Sequence, residues 1–249
     1  MSRPAHPAAE LDPLDGLDEL PAAELPLALW RVQRSRPVGA PLDLVLSGWR
    51  AGALVDLVTG AGFTVDPESP SATDGTVRIR ATRARTLADT VGEGMRLLIC
   101  GVNPSLFSAD AGVGYARPGN RFWPAALAAG VVQVDRDPLA AVGAGMGMTD
   151  FVKRATRTAA EVTPAEYAAG FARVTRLVEW LRPGAICFVG LSGWREVVDR
   201  RAVAGHQARA VGGRPAYVMP STSGLNARTP LAELVGHLGA AWELSAGPR

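Results

Sequence analysis

The chain has only two cysteines, three histidines and a single lysine. Two cysteines cannot give four thiolate ligands to a structural zinc or an iron–sulfur cluster. Cys100 and Cys187 end or interrupt apolar runs and are followed closely by glycine, which predicts core thiols. His6, His206 and His237 share no metal-ligand spacing with one another or with the cysteines, so no metal site is expected. The lone lysine, Lys153 in "TDFVKRATRT", reads as an exposed charge. No apolar run approaches the roughly 20 residues of a membrane span. The start, "MSRPAHPAAELDPLDGLDEL", lacks a basic region followed by an apolar one, so neither anchor nor signal peptide is expected and the default location is cytoplasmic.

Against these absences, 249 residues with 47% hydrophobic content can bury a substantial core. The formal net charge of +2 argues against a bulk polyanion binder, but its distribution is uneven. Residues 1–25 carry Glu10, Asp12, Asp15, Asp18, Glu19 and Glu24 against one arginine. Residues 191–230 carry Arg195, Arg200, Arg201, Arg209, Arg214 and Arg228 against Glu196 and Asp199, enough for a basic face toward phosphates. A solvated helix face explains the same arginines equally well.

Three stretches follow. Residues 1–25, rich in proline, alanine and acids, read as a flexible tail. Residues 26–94 read as a small α+β extension of unassigned role: "LVLSGWRAGALVDLVTGAGF" has helical spacing, and "TVDPES" and "TVRIRATRA" alternate as strands around "PSATDG". Residues 95–249 alternate short apolar runs with helical patterns. "MRLLIC", "GMGMTDFV", "GAICFVG" and "PAYVMP" predict strands; "NRFWPAALAAG", "TPAEYAAGFARVTRLVEWL", "GWREVVDRRAVA" and "TPLAELVGHLGAAWEL" predict helices, the second opened by a capping box of Thr163 and Glu166. The expected fold is a three-layer α/β/α domain around a mostly parallel central sheet.

Ligands in such sheets bind beyond the carboxyl ends of the strands. Two loops lie there: "GVNPSLFSADAGVGYARPGNRFWP" after "MRLLIC", and "STSGLNAR" after "AYVMP". In the first, Asn103-Pro104 reads plainly as a helix cap with proline at the first helical position. In the second, Leu225 sits between Gly224 and Asn226 with no period to bury it. It either folds back on the core or serves as an apolar wedge for a base stack, flanked by groups that bind phosphates and base edges.

Together, "GVNPSLFSADAGVGYARPGNRFWP" and "MPSTSGLNAR" resemble the paired signature of the mismatch-specific uracil-DNA glycosylases, the family that includes thymine-DNA glycosylase, over about residues 95–243. The resemblance implies a uracil-DNA glycosylase-like fold and a monofunctional hydrolase that flips uracil out of duplex DNA and needs no cofactor. It gives Asn103 the attacking water, Tyr115 a stack on the base, the backbone near Val102 and Tyr115 the base carbonyls, and Ser108 the neighbourhood of C5. Asn120 and Arg121 would brace the pocket. Leu225 would fill the gap in the duplex, Gly224 and Asn226 would touch the opposite strand, and Ser221, Ser223 and Arg228 would lie near phosphates. Ser105 departs from the glycine common after Asn-Pro. The implied partner is double-stranded DNA with uracil or mismatched bases, bound by a monomer away from membranes. A silent binder of mismatched DNA, or a hydrolase of small nucleotides, fits the same frame.

Overall fold

The computed structural model describes residue 14 and residues 16–247. Most of the expected acidic tail lies outside them. Its end does not run free: Leu17 and Leu25 are buried, and Asp18 Oδ1 accepts a hydrogen bond from the Ser47 N–H at 2.6 Å.

Helix α1 (Leu25–Ser35) leads into β1 (Pro41–Ser47), α2 (Ala51–Gly60), β2 (Phe63–Val65), β3 (Ser71–Thr73) and β4 (Thr76–Arg83). The helix expected from Leu44 to Phe63 therefore begins only at Ala51, and its first four residues belong to β1. In "PLDLVLS" the buried residues alternate, Leu42, Leu44 and Leu46, which is the period of a sheet covered on one face. Gly48, at φ 74°, then turns the chain into α2. Central strand β4 pairs antiparallel with β1 and β2, and β3, formed inside the expected "PSATDG" turn, also pairs with it.

The second sheet has the order β6-β5-β7-β9-β8, from β5 (Leu97–Gly101), β6 (Met146–Asp150), β7 (Ala185–Val189), β8 (Gly205–Val211) and β9 (Arg214–Met219). The first four of these strands are parallel, and only edge strand β8 runs antiparallel, against β9. Alternate residues point to opposite layers. Leu98, Cys100, Ile186, Phe188 and Val218 face one core, which holds α6 (Pro164–Leu181) and α7 (Leu191–Val197). Leu97, Ile99, Cys187 and Met219 face the other, with α4 (Phe122–Ala128), α5 (Pro138–Gly143) and α8 (Leu231–Leu244). The protein is a three-layer α/β/α fold, and both cysteines are buried free thiols within it.

The N-terminal unit shares a core with the larger sheet. Leu54, Leu57 and Val58 of α2 belong to the same buried cluster as Val174, Val178 and Leu181 of α6. Arg176 of α6 grips Asp56 of α2 through two hydrogen bonds, at 2.6 and 2.9 Å, and the Trp49 and Trp180 rings meet edge to face at 5.9 Å.

Candidate active site at the strand ends

Strand order reverses between β5 and β7, where an open α/β sheet leaves a crevice. A cavity of about 800 Å³ opens there, lined by the loops that follow β5, β6, β7 and β9. Of the twelve residues given a site role from the sequence, ten line it; Arg121 lies behind the wall, and Gly224 packs beside the cavity, where a Cβ would lie 3.0 Å from the Gly119 carbonyl oxygen.

Asn103 does not cap a helix. The cap of the short helix α3 (Leu106–Ala111) is Ser105, whose Oγ accepts from the Ser108 N–H at 3.1 Å, so the residue that departs from the family pattern has a structural role. Asn103 is thereby free of capping, and its Nδ2 donates to the carbonyl of Arg154 at 2.9 Å and to Thr156 Oγ1 at 2.7 Å. Thr156 Oγ1 is itself committed as donor to the Thr158 carbonyl. Two acceptors thus fix which end of the amide is nitrogen, and the Asn103 carbonyl oxygen has no protein donor among the described residues.

The opposite wall is aromatic. Tyr115 sits at φ 57°, one face of its ring stacked on Phe122 at 4.2 Å, while the ring also lines the cavity. Trp123, fully buried, donates its indole N–H to the Gly114 carbonyl at 2.8 Å and fixes the loop that carries Tyr115. Asn120 Oδ1 accepts from the Phe122 N–H at 2.9 Å at the start of α4. "NRFWP" therefore builds the pocket wall from behind.

Arg121 joins the two loops. Its guanidinium donates to the carbonyls of Thr229, Asn226 and Ser223, and its own N–H reaches the Thr222 carbonyl at 2.9 Å. Within the second loop, Asn226 Nδ2 donates to the Ser221 carbonyl at 2.8 Å and to Thr229 Oγ1 at 3.0 Å, so this amide braces the loop. Leu225 stands at its tip 82% exposed and does not fold back.

Charge around the cavity differs from the expected basic face. Of the arginines between residues 191 and 230, only Arg228 lines the pocket. Arg195 is tied to the Ala202 carbonyl, Arg209 lies over Phe171, and Arg214 reaches the Arg182 carbonyl. Two arginines from other loops, Arg117 and Arg157, join Arg228 on the lining. All three are exposed. Sequence reasoning missed Arg117 and Arg157, although each lies in a turn-rich segment after a strand.

It also missed what surrounds Lys153. That side chain is 9% exposed and donates to Asp89 Oδ1 at 2.7 Å. Asp89 further accepts from Arg173 at 2.8 Å and from Thr149 at 2.8 Å. Burial pushes the Asp89 carboxyl up, but the charges of Arg173 and Lys153 outweigh it and hold the group below its usual value. Next to this cluster Asp150 ends β6 and lines the cavity. Burial pushes its carboxyl up to about 6; the Lys153 charge opposes that shift and Asp89 adds to it.

Fold and pocket define an α/β protein with its site at the topological switch point, walled by an aromatic ring and a pinned amide and rimmed by arginines. Residues 89–243 match the family model of the uracil DNA glycosylase superfamily, and the chain belongs to that superfamily. Among the solved structures it is similar to one from Methanosarcina acetivorans, determined by solution NMR and provisionally assigned as a uracil DNA glycosylase. The identity is 18%, over 64% of this chain and 97% of the other, with a TM-score of 0.42.

Proposed function

We propose that the protein is a monofunctional, mismatch-directed DNA glycosylase. It turns uracil, and related bases such as mismatched thymine or damaged cytosine, out of duplex DNA and hydrolyses the bond between the base and C1' of the deoxyribose. The observation that carries this reading is the locked Asn103 amide, with its nitrogen held by Arg154 and Thr156 and its carbonyl left for a water.

The C1'–N1 bond breaks with its electron pair going to the base, and the sugar passes through an oxocarbenium-like state. A water oriented by the Asn103 carbonyl then adds to C1', and its proton leaves to solvent or to the departing base anion. Such a cation is electrophilic enough for an amide to suffice in place of a strong base. Tyr115 offers its ring to the extruded base, and Leu225 fills the space the base vacates. Arg117, Arg157 and Arg228 suit the flanking phosphates. A lyase step through lysine is disfavoured, because the one lysine is buried against Asp89 and is not part of the pocket lining.

The test is alkaline strand cleavage after incubation with duplexes that contain one G·U, A·U or G·T pair. Wild-type protein is expected to yield cleavage at the target site, and Asn103→Ala to abolish it with duplex affinity nearly unchanged. Tight mismatch binding without cleavage by the wild type would favour the silent binder, and activity on free deoxyuridine alone would favour the nucleotide hydrolase.

A further inference from the structure

A second, smaller cavity opens where the N-terminal unit meets α3. We propose that it is a phosphate site, built from Arg34 of α1 and Arg83 of β4 against the end of α3, and that it takes one phosphate group. The proposal does not depend on the glycosylase reading above.

The cavity has a volume of about 170 Å³, room for one small anion with water. Its walls are Gln33, Arg34, Arg83 and Thr86 on one side and residues 109–112 on the other. Only glycine fits at position 112. Its φ is 67°, and a Cβ there would lie 2.2 Å from Arg34 Nη1, so the guanidinium rests directly on the backbone.

Unbalanced charge marks the place. Arg34 Nη1 donates to the Gly112 carbonyl at 3.3 Å, and Arg83 Nη1 donates to the Arg36 carbonyl. Arg83 Nε is buried and bonded to nothing among the described residues. No described carboxylate pairs with either arginine, because the one acid on the wall, Asp110, is held by Arg85 at 2.7 and 2.6 Å. Burial, and then the Arg34 charge, hold the Arg83 guanidinium below its ordinary value, as expected of like charges brought together without a counterion.

The other polar groups on the wall are committed elsewhere. Gln33 Nε2 donates to the Thr86 carbonyl at 3.1 Å, and Thr86 Oγ1 donates to the Lys153 carbonyl. The Ser108 and Ala109 carbonyls at the end of α3 accept from the Val113 and Gly112 N–H groups. What is missing is an acceptor for two guanidinium groups. A carboxylate has two oxygens and matches one planar fork, whereas the oxygens of a phosphate can be shared between two. Leu87, Ala88 and Gly112 line both this cavity and the larger one, so an occupant would steady a wall common to the two.

A DNA backbone and free phosphate both carry this chemistry. Full-length wild type, Arg83→Gln and Ala111→Asp are melted at pH 7 in chloride and in inorganic phosphate at equal ionic strength. The wild type is expected to melt about 3 °C higher in phosphate, and both variants to lose that shift. General stabilisation by phosphate is common to all three proteins and cancels in the comparison. Ala111 lines the cavity, so Ala111→Asp keeps both arginines and places a tethered carboxylate beside them. It decides the matter alone if Arg83→Gln does not fold. Duplex affinity is then measured against salt. A slope of log affinity on log salt that falls by about 0.9 in the variants assigns the site to the DNA backbone. An unchanged slope with the phosphate shift lost assigns it to free phosphate. Equal melting shifts in all the proteins, or none in any, with an unchanged slope, overturn the site and leave the glycosylase reading intact.

Discussion

At the scale of single residues, the site is made of side chains whose usual partners have been withheld or reassigned. Asn103 loses its expected capping role to Ser105, and the largely enclosed Asp150 carboxyl has no hydrogen-bonding partner among the described residues. The second has a thermodynamic consequence. Its folded pKa, about 6, lies above the ordinary 3.8, so the folded state favours the protonated form. The sign is that of a stability contribution fully present below pH 3.8 and lost as pH rises through about 6. Asp150→Asn is therefore expected to melt at a higher temperature than wild type at pH 7 to 8, with the gap closing below pH 4. Thermal melts across that range check it, and a pH-independent gap would contradict it. Leu225 stood out because a loop leucine with no period to bury it has no evident core role, whereas Asn103 and Tyr115 were singled out only through the family resemblance. Thr156 and Asp150 were not, since their neighbours Asn103 and Gly101 lie some 50 positions earlier in the chain. No local pattern encodes such a pairing.

Elements tell a similar story. The capping box of α6 was legible and is present, Thr163 Oγ1 accepting from the Glu166 N–H while Glu166 reaches back to the Thr163 N–H at 2.9 Å. Glu166 also holds Arg154, the residue whose carbonyl fixes Asn103, so a helix start and the Asn103 amide share one support. What was misread is the segment "LVLSGWRAGALV", where apolar residues fit both periods until a partner strand selects one. The second loop depends on Arg121, which no propensity could have assigned to three carbonyls more than a hundred residues away. Arg121→Ala is expected to cost on the order of 2 kcal/mol in loop ordering, since charged hydrogen bonds to part-buried carbonyls are lost. Faster amide exchange confined to residues 220–229, with KM rising more than kcat falls, would verify it. Arg121→Lys should restore little, because an ammonium cannot present a planar fork to spaced acceptors.

For the whole molecule, the decisive feature is the common core of the N-terminal unit and the glycosylase layers. The family match begins at residue 89, but the hydrophobic cluster does not stop there. A protein lacking residues 1–88 would expose the face of α6 that carries Val174, Val178 and Leu181, and is expected to give no cooperative melting transition. Asp89, at the junction, makes the linkage electrostatic as well. With its folded pKa held below 3.8, its contribution is present above that value and lost as pH falls through the folded one. Asp89→Asn should cost about 3–5 kcal/mol at neutral pH, as expected when one partner of a buried ion pair is removed, and much less in acid. Denaturant melts at both pH values measure the difference. Sequence composition could mark where the pattern changed near residue 95, but could not say that two patterns share one interior. The wall of the pocket has a last property of its own. Tyr115, Phe122 and Trp123 form a continuous series of ring contacts that ends in a buried indole bonded to the pocket loop. Filling the cavity against Tyr115 is therefore expected to change the emission of that indole, one of six in the chain, and Trp123→Phe to remove the change.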